Sequence, residues 1–186
     1  PVYQPVTTKK LIDDKHLADF LIKCITLKYP EHICKQLKDY KYQDEIDFIT
    51  TYEPRNKFLS KLSIAQQGNT LVLFHLIDHG KTIHDLILTR KDKDRKLFFV
   101  YGGTDAETRE QIRAIAETED NSIIVASFGT FSTGVNIRNL HNIIFASPSK
   151  SKIRNLQSIG RGLRKGNKKE KARLIDISDD FRSVSY

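Results

Sequence analysis

A chain of 186 residues with 39% hydrophobic content can bury one proper core, with room for an appended segment. No apolar run approaches the roughly 18 residues that a membrane span needs, and no signal peptide is visible. The net charge is +8, but Lys150–Arg173 carries ten basic side chains against Glu170 alone, so that segment is +9 and the rest −1. A local excess of this size points to a polyanion. Without an apolar insertion face beside it, nucleic acid is favoured over a membrane surface. Cys24 and Cys34 lack metal-ligand spacing and read as buried thiols in a reducing, intracellular compartment, the cytoplasm. Pro1 is not a natural start, so the chain is expected to be a fragment or a processed piece.

Pro1 to Lys28 reads as a lead-in, with a short helix around Thr8–Asp14 and a strand over Phe20–Leu27 that is rich in β-formers. Pro30 ends that strand. Glu31 to Ile49 reads as helix in one or two pieces, broken near Tyr40 and Tyr42. Pro54 suits a first helical position and Gly68 a helix stop, with Phe58, Leu59, Leu62 and Ala65 as a core-facing stripe. Strands and helices then alternate. Thr70–Phe74, Leu97–Tyr101, Ile123–Ala126, Ile143–Ala146 and Ala172–Ile177 are short apolar strands. Ile83–Thr89 belongs to a helix. A second runs to about Glu119 from a capping box of Thr104 and Glu107, and Ser149 caps a third. Buried strands divided by helices predict an α/β domain with a mostly parallel sheet covered on both faces. The glycine-bearing loops after Tyr101, Ala126 and Ala146 should then share one rim, at the carboxyl ends of the strands, where such sheets bind ligands. Lys165–Lys171 reads as a hairpin.

Gln157-Ser158-Ile159-Gly160-Arg161-Gly162-Leu163-Arg164 carries the strongest chemistry. On a helix, Arg161 and Arg164 share a face, and each guanidinium is a planar fork that matches phosphate oxygens. Gln157 stands one turn earlier and adds an uncharged polar contact. Gly160 and Gly162 let a ligand or another backbone come close, and a merely solvated basic helix gains nothing from interior glycine. Two forks on one face suit a triphosphate whose charge is neutralised as a bond breaks.

The chain has no matching cradle. Gly80-Lys81-Thr82 ends like G-x-x-x-x-G-K-[ST], but the first glycine of that pattern falls on His75. Gly129–Gly134 has the glycine spacing, but Val135 and Asn136 replace its Lys and Ser/Thr. In the loop from Ser127 to Asn136, Ser127, Thr130, Ser132 and Thr133 could meet nucleic-acid phosphates or form an ordinary polar loop. His16, His32, His75, His79, His84 and His141 are too scattered for a metal site, and none is expected. No G-x-S-x-G signature appears.

This arrangement resembles the second RecA-like domain of superfamily 2 helicases. Thr70–Asp78 resembles motif IV, Gly102 with Arg109 the G-x6-R pattern after the next strand, Ile123–Ile137 motif V and Gln157–Arg164 motif VI. The Ser149–Lys152 lead into Q-S-I-G-R-G-L-R-K-G is similar to the recombination and repair helicases of T-even-like phages. The resemblance covers roughly Pro1 to Asp180. It implies a three-layer α/β/α RecA-like domain filling residues 1–186, with 1–68 as lead-in and 69–180 as motif-bearing core. Arg161 and Arg164 would be arginine fingers, supported by Gln157, on an ATP held with Mg2+ mainly by a first RecA-like domain that this sequence lacks. Gly134, Asn136 and Gly160 would lie near the nucleotide. The family usually has Asp where Asn136 stands. Ser127 or Thr130 would touch the strand, together with Gly102, Lys150, Lys152, Lys165, Lys168 and Lys169.

The expected function is therefore half of an ATP-dependent DNA motor acting on branched or single-stranded DNA, inactive as an ATPase alone. Its partners would be DNA and the N-terminal RecA-like domain of the same protein, with no membrane. Two rivals stay open: an ATP-independent nucleic-acid-binding module, and a small P-loop kinase built on Gly80-Lys81-Thr82.

Overall fold

A computed structural model describes residues 19–130, 137, 139–148 and 171–181, with backbone alone at Asp19, Phe20 and Lys171. The elements are β1 (Asp19–Lys28), α1 (Glu31–Leu37), α2 (Tyr42–Thr51), α3 (Glu53–Ala65), β2 (Thr70–Phe74), α4 (Ile77–Leu88), β3 (Leu97–Val100), α5 (Ala106–Thr118), β4 (Ile123–Ser127), β5 (Asn142–Phe145) and β6 (Lys171–Asp180). The six strands form one sheet in the order β1-β6-β5-β2-β4-β3. Every pairing is parallel. The expected strands are all present, and the sheet is wholly parallel.

Alternation along the strands sorts their side chains onto two faces. Leu71, Leu73, Ile124, Ala126, Ile143, Phe145 and Leu174 pack on one side with Ile112 and Ala116 of α5. Val72, Phe74, Ile123, Val125, Ile144, Ile175 and Ile177 pack on the other with Leu59 of α3 and Ile83 and Ile87 of α4. These are the two interfaces of a three-layer α/β/α domain. Truncating a fully buried member such as Leu71 to Ala typically costs about 2–5 kcal/mol. β3 is only half-buried along most of its length, because it is an edge strand.

The amino edge is held by polar side chains. The Asn69 amide donates to the carbonyls of Ala116, Glu119 and Asn139 and accepts from the main chain and hydroxyl of Ser122. Arg95, nearly buried, donates to the carbonyls of Ile64 and Gln66, satisfying the exit of α3 where a cation is favoured.

Several local expectations are corrected. α3 ends at Ala65, and Gly68 lies in the turn before β2 with φ +85 instead of stopping the helix. Of the expected stripe, Leu59 is buried and Phe58 and Leu62 pack partly buried against the same core, but Ala65 is exposed; the helix also buries Arg55, Asn56, Ser60 and Ser63. Asp105, not Thr104, caps α5 by accepting from the main-chain N–H of Thr108 at 2.8 Å. The Thr104 hydroxyl instead accepts from Tyr101 N–H. Of the two thiols, Cys34 is buried and Cys24 exposed. The helix expected around Thr8–Asp14 and the Ser149 cap lie outside the described residues, as does the Lys165–Lys171 hairpin apart from Lys171, which opens β6.

Candidate functional site

Because all strands run parallel, their carboxyl ends share one edge. In spatial order the residues following the strands are Tyr29, Phe181, Ala146, His75, Phe128 and Tyr101. The loops after Tyr101, Ala126 and Ala146 therefore meet on one rim, as the sequence predicts.

The centre of the rim is tied together by one serine. Ser147 Oγ accepts the main-chain N–H of His75 at 3.1 Å and lies 3.1 Å from His79 Nδ1. His79 Nε2 in turn lies 3.1 Å from Asn56 Oδ1. The ring is buried, and desolvation, then the nearby Arg55 charge, pushes its pKa down to about 3. A neutral imidazole with a partner at each nitrogen thus joins α3, α4 and the end of β5.

Ser127 ends β4 and caps the turn that follows. Its Oγ accepts from Thr130 N–H at 3.3 Å and lies 2.7 Å from Thr130 Oγ1. Thr130 is buried, with 4% of its surface exposed, while Ser127 is half-buried. Gly102 and Gly129 are exposed, and a Cβ at either would meet open space, so their backbones are approachable from solvent. Arg109 turns back on its own helix, with Nε donating to Asp105 O at 3.4 Å.

Gly80-Lys81-Thr82 is not a phosphate loop. All three residues lie inside α4, which begins at Ile77. A Cβ on Gly80 would come within 2.5 Å of the Phe74 ring, so this glycine serves helix–strand packing. That removes the structural basis of the kinase reading. Among the described residues no three His, Cys, Asp or Glu side chains gather as a metal site, and no helix is long and apolar enough to cross a membrane.

Of the site residues expected from sequence, the structure brings Ser127, Thr130 and Gly102 to the same rim. Gly134, Asn136, Lys150, Lys152, Gln157, Gly160, Arg161, Arg164, Lys165, Lys168 and Lys169 lie outside the described residues. Most of them belong to the connection that leaves the rim after Pro148 and rejoins the sheet at Lys171. Sequence reasoning missed the Asn56–His79–Ser147 link. Its signal was a serine two residues after one apolar strand and a histidine five residues beyond another.

The helicase conserved C-terminal domain matches residues 54–166, more than half of the chain, and the chain belongs to that family. It is 43% identical over 181 residues to the ATP-dependent DNA helicase uvsW of Enterobacteria phage T4, covering 96% of this chain and 36% of that protein. The chain therefore spans little more than a third of this relative's length. It is also similar to the crystal structure of T4 UvsW, with a TM-score of 0.77 and 42% identity over 89% of this chain and 34% of that one. Two more distant structures share the fold. The ATP-dependent Type ISP restriction-modification enzyme LlaBIII, solved bound to DNA, gives a TM-score of 0.57 at 17% identity over 89% of this chain and 12% of its own. The E. coli DEAD-box protein SrmB gives 0.53 at 15% identity, covering 68% of this chain and 71% of its own. The resemblance read from motifs IV to VI is thus borne out, and the fold is RecA-like.

Proposed function

We propose that this chain is the second motor domain of an ATP-dependent DNA helicase or translocase acting on branched or single-stranded DNA in recombination and repair. The observation that carries this reading is the separation of two parts. The phosphate-matching Gln157–Arg164 element stands in the connection between β5 and β6, while the nearest approach to a phosphate loop is wound into α4. Forks without a cradle suit half of a composite site. The likeness to uvsW over 96% of the chain supports the same reading.

The residues present fit ATP at its outer phosphates, through the two guanidinium forks, and offer no cradle of their own among the described residues. ATP, when bound, would supply the free energy of each step, and a first RecA-like domain would hold it with Mg2+. Arg161 and Arg164 would neutralise charge on the phosphate oxygens as the two domains close, with Gln157 supporting that contact. Gly160 leaves room for close approach. Gly134 and Asn136 would serve the nucleotide, where the Asn136 amide offers a neutral donor and acceptor in place of the usual carboxylate. Ser127, less buried than Thr130, offers its hydroxyl to a strand phosphate, and the open backbone at Gly102 joins it. Lys150, Lys152, Lys165, Lys168 and Lys169 supply the counter-charge. Closure shifts this grip along the strand. The place of work is the cytoplasm, that of the host if the protein is phage-encoded.

The experiment compares the chain alone with the intact two-domain protein. The chain alone should show no ATPase and weak nucleotide binding. DNA binding should fall steeply with salt, with a log–log slope of about 0.9 per duplex phosphate neutralised. Tight ATP binding by the chain alone contradicts the composite site. DNA-dependent activity that needs no ATP, even in the intact protein, favours the simple binding module.

A further inference from the structure

We propose that His75, seated flat on Phe128, is a stacking surface for a nucleobase of the bound single strand, an inference that rests on the DNA-binding reading above. His75 directly follows β2, the strand between β4 and β5 near the middle of the sheet, and so stands at the heart of the carboxyl rim. Its ring stacks on Phe128 with centroids 4.3 Å apart and planes 21° from parallel. Phe128 is buried, with 8% of its surface exposed, and leans on Phe145 at 5.4 Å, so the lower ring is anchored in the core. The upper residue is pinned through its main chain to Ser147 Oγ. His75 itself is exposed to solvent. A rigid aromatic face turned outward is what a base requires, because stacking energy is lost when the platform must first be ordered.

Two surroundings favour this use over a plain core plug. Leu76 and Ile77 continue the exposed surface from His75, with 42% and 43% of their areas open, an apolar strip where a rim loop needs none for its own packing. Ser127, the hydroxyl suited to a phosphate, directly precedes Phe128 in the chain. Partial burial also lowers the His75 pKa, so the ring is neutral at neutral pH and contributes stacking instead of charge.

The test uses the intact protein and two strands of equal length and charge, oligothymidylate and the same backbone built from abasic residues. Anisotropy gives both affinities for wild type, His75→Ala and His75→Phe. Wild type should prefer the strand that carries bases. His75→Ala should weaken binding to oligothymidylate about fivefold or more, the lower end for one stacked base, with little change on the abasic strand. His75→Phe should keep the preference, and the salt slope should be the same for all three. A base preference untouched by His75→Ala, or an equal loss on both strands, overturns the platform and leaves DNA binding intact. Wild type binding neither strand overturns the DNA-binding reading itself, and the platform with it.

Discussion

Arg55 grips Asp179 through two parallel hydrogen bonds, Nε to Oδ1 at 2.8 Å and Nη2 to Oδ2 at 3.0 Å, with both side chains almost wholly buried. The Tyr29 hydroxyl donates to the same carboxylate at 2.6 Å, and burial followed by that carboxylate holds the phenol protonated far above its ordinary range. The pair fastens α3 to the carboxyl end of β6, and Tyr29 brings in the end of β1 and the rings of Phe48, Tyr52 and Phe181. This lateral half of the rim thus rests on one ionic contact.

Asp179→Asn should therefore destabilise the fold by about 3–5 kcal/mol, because it strands a buried guanidinium. Replacing both partners, as Arg55→Met with Asp179→Leu, should recover much of that loss, since apolar pairs of similar volume often match buried ion pairs. Urea unfolding of the single and double variants measures both. A single variant within about 1 kcal/mol of wild type would put the pair among weak surface-like contacts.

Gly80→Ala should destabilise the domain although alanine is the better helix former. The helix gains about 1 kcal/mol, but the new methyl meets Phe74, whose ring is fully buried and stacked on Phe99 at 5.4 Å and 5°. Overpacking of that kind costs about 1–3 kcal/mol. Lys81→Ala, on the exposed side of the same helix, should leave nucleotide affinity of the intact protein unchanged. A large loss of ATP binding in Lys81→Ala would restore the phosphate-loop reading.

His79 makes stability depend on pH. Its folded pKa, about 3, lies below the ordinary 6.5, so the unfolded chain binds the proton more readily. The stability is fully present above pH 6.5 and is lost as pH falls from there toward 3, at a rate of at most about 1.4 kcal/mol per pH unit. Arg55 opposes protonation of the ring and Asp179 favours it, the two charges nearest the imidazole. Thermal unfolding between pH 7 and 5 should show this slope in wild type and a shallower one in His79→Gln. Equal slopes would mean that another group carries the acid sensitivity.

The strands were readable because each is a short apolar run, and a sheet buried on both faces leaves no other place for such runs. Leu71–Leu73, Phe98–Val100, Ile124–Val125 and Ile144–Phe145 all fall in strands. The start of α4 was not readable. Leu76 and Ile77 are exposed while His79 and Gly80 are buried, which inverts the usual pattern, and the fit of Gly80 against Phe74 and the bonds of His79 to Ser147 and Asn56 explain it. The cap of α5 was misjudged by one residue because Thr104 and Asp105 are both good caps, and the need of Tyr101 N–H for a partner decided between them. At the rim, Ser127 and Gly102 were legible as a hydroxyl and a glycine after predicted strands. His75 and Ser147 gained their roles only from strand order, since 72 residues separate them.

On the function proposed above, Arg161 and Arg164 complete an ATP site held by another domain. Arg161→Lys and Arg164→Lys in the intact two-domain protein test it most directly, with DNA-stimulated ATPase and DNA affinity measured separately. A lysine point charge cannot reproduce the bidentate contact, so rescue is not expected. Arginines that act on the transferred phosphate should, when replaced, lower kcat by roughly 10³–10⁵, about 4–7 kcal/mol of barrier, with nucleotide and DNA affinity little changed. ATPase surviving within about threefold while DNA binding collapses would contradict it and assign both arginines to the strand.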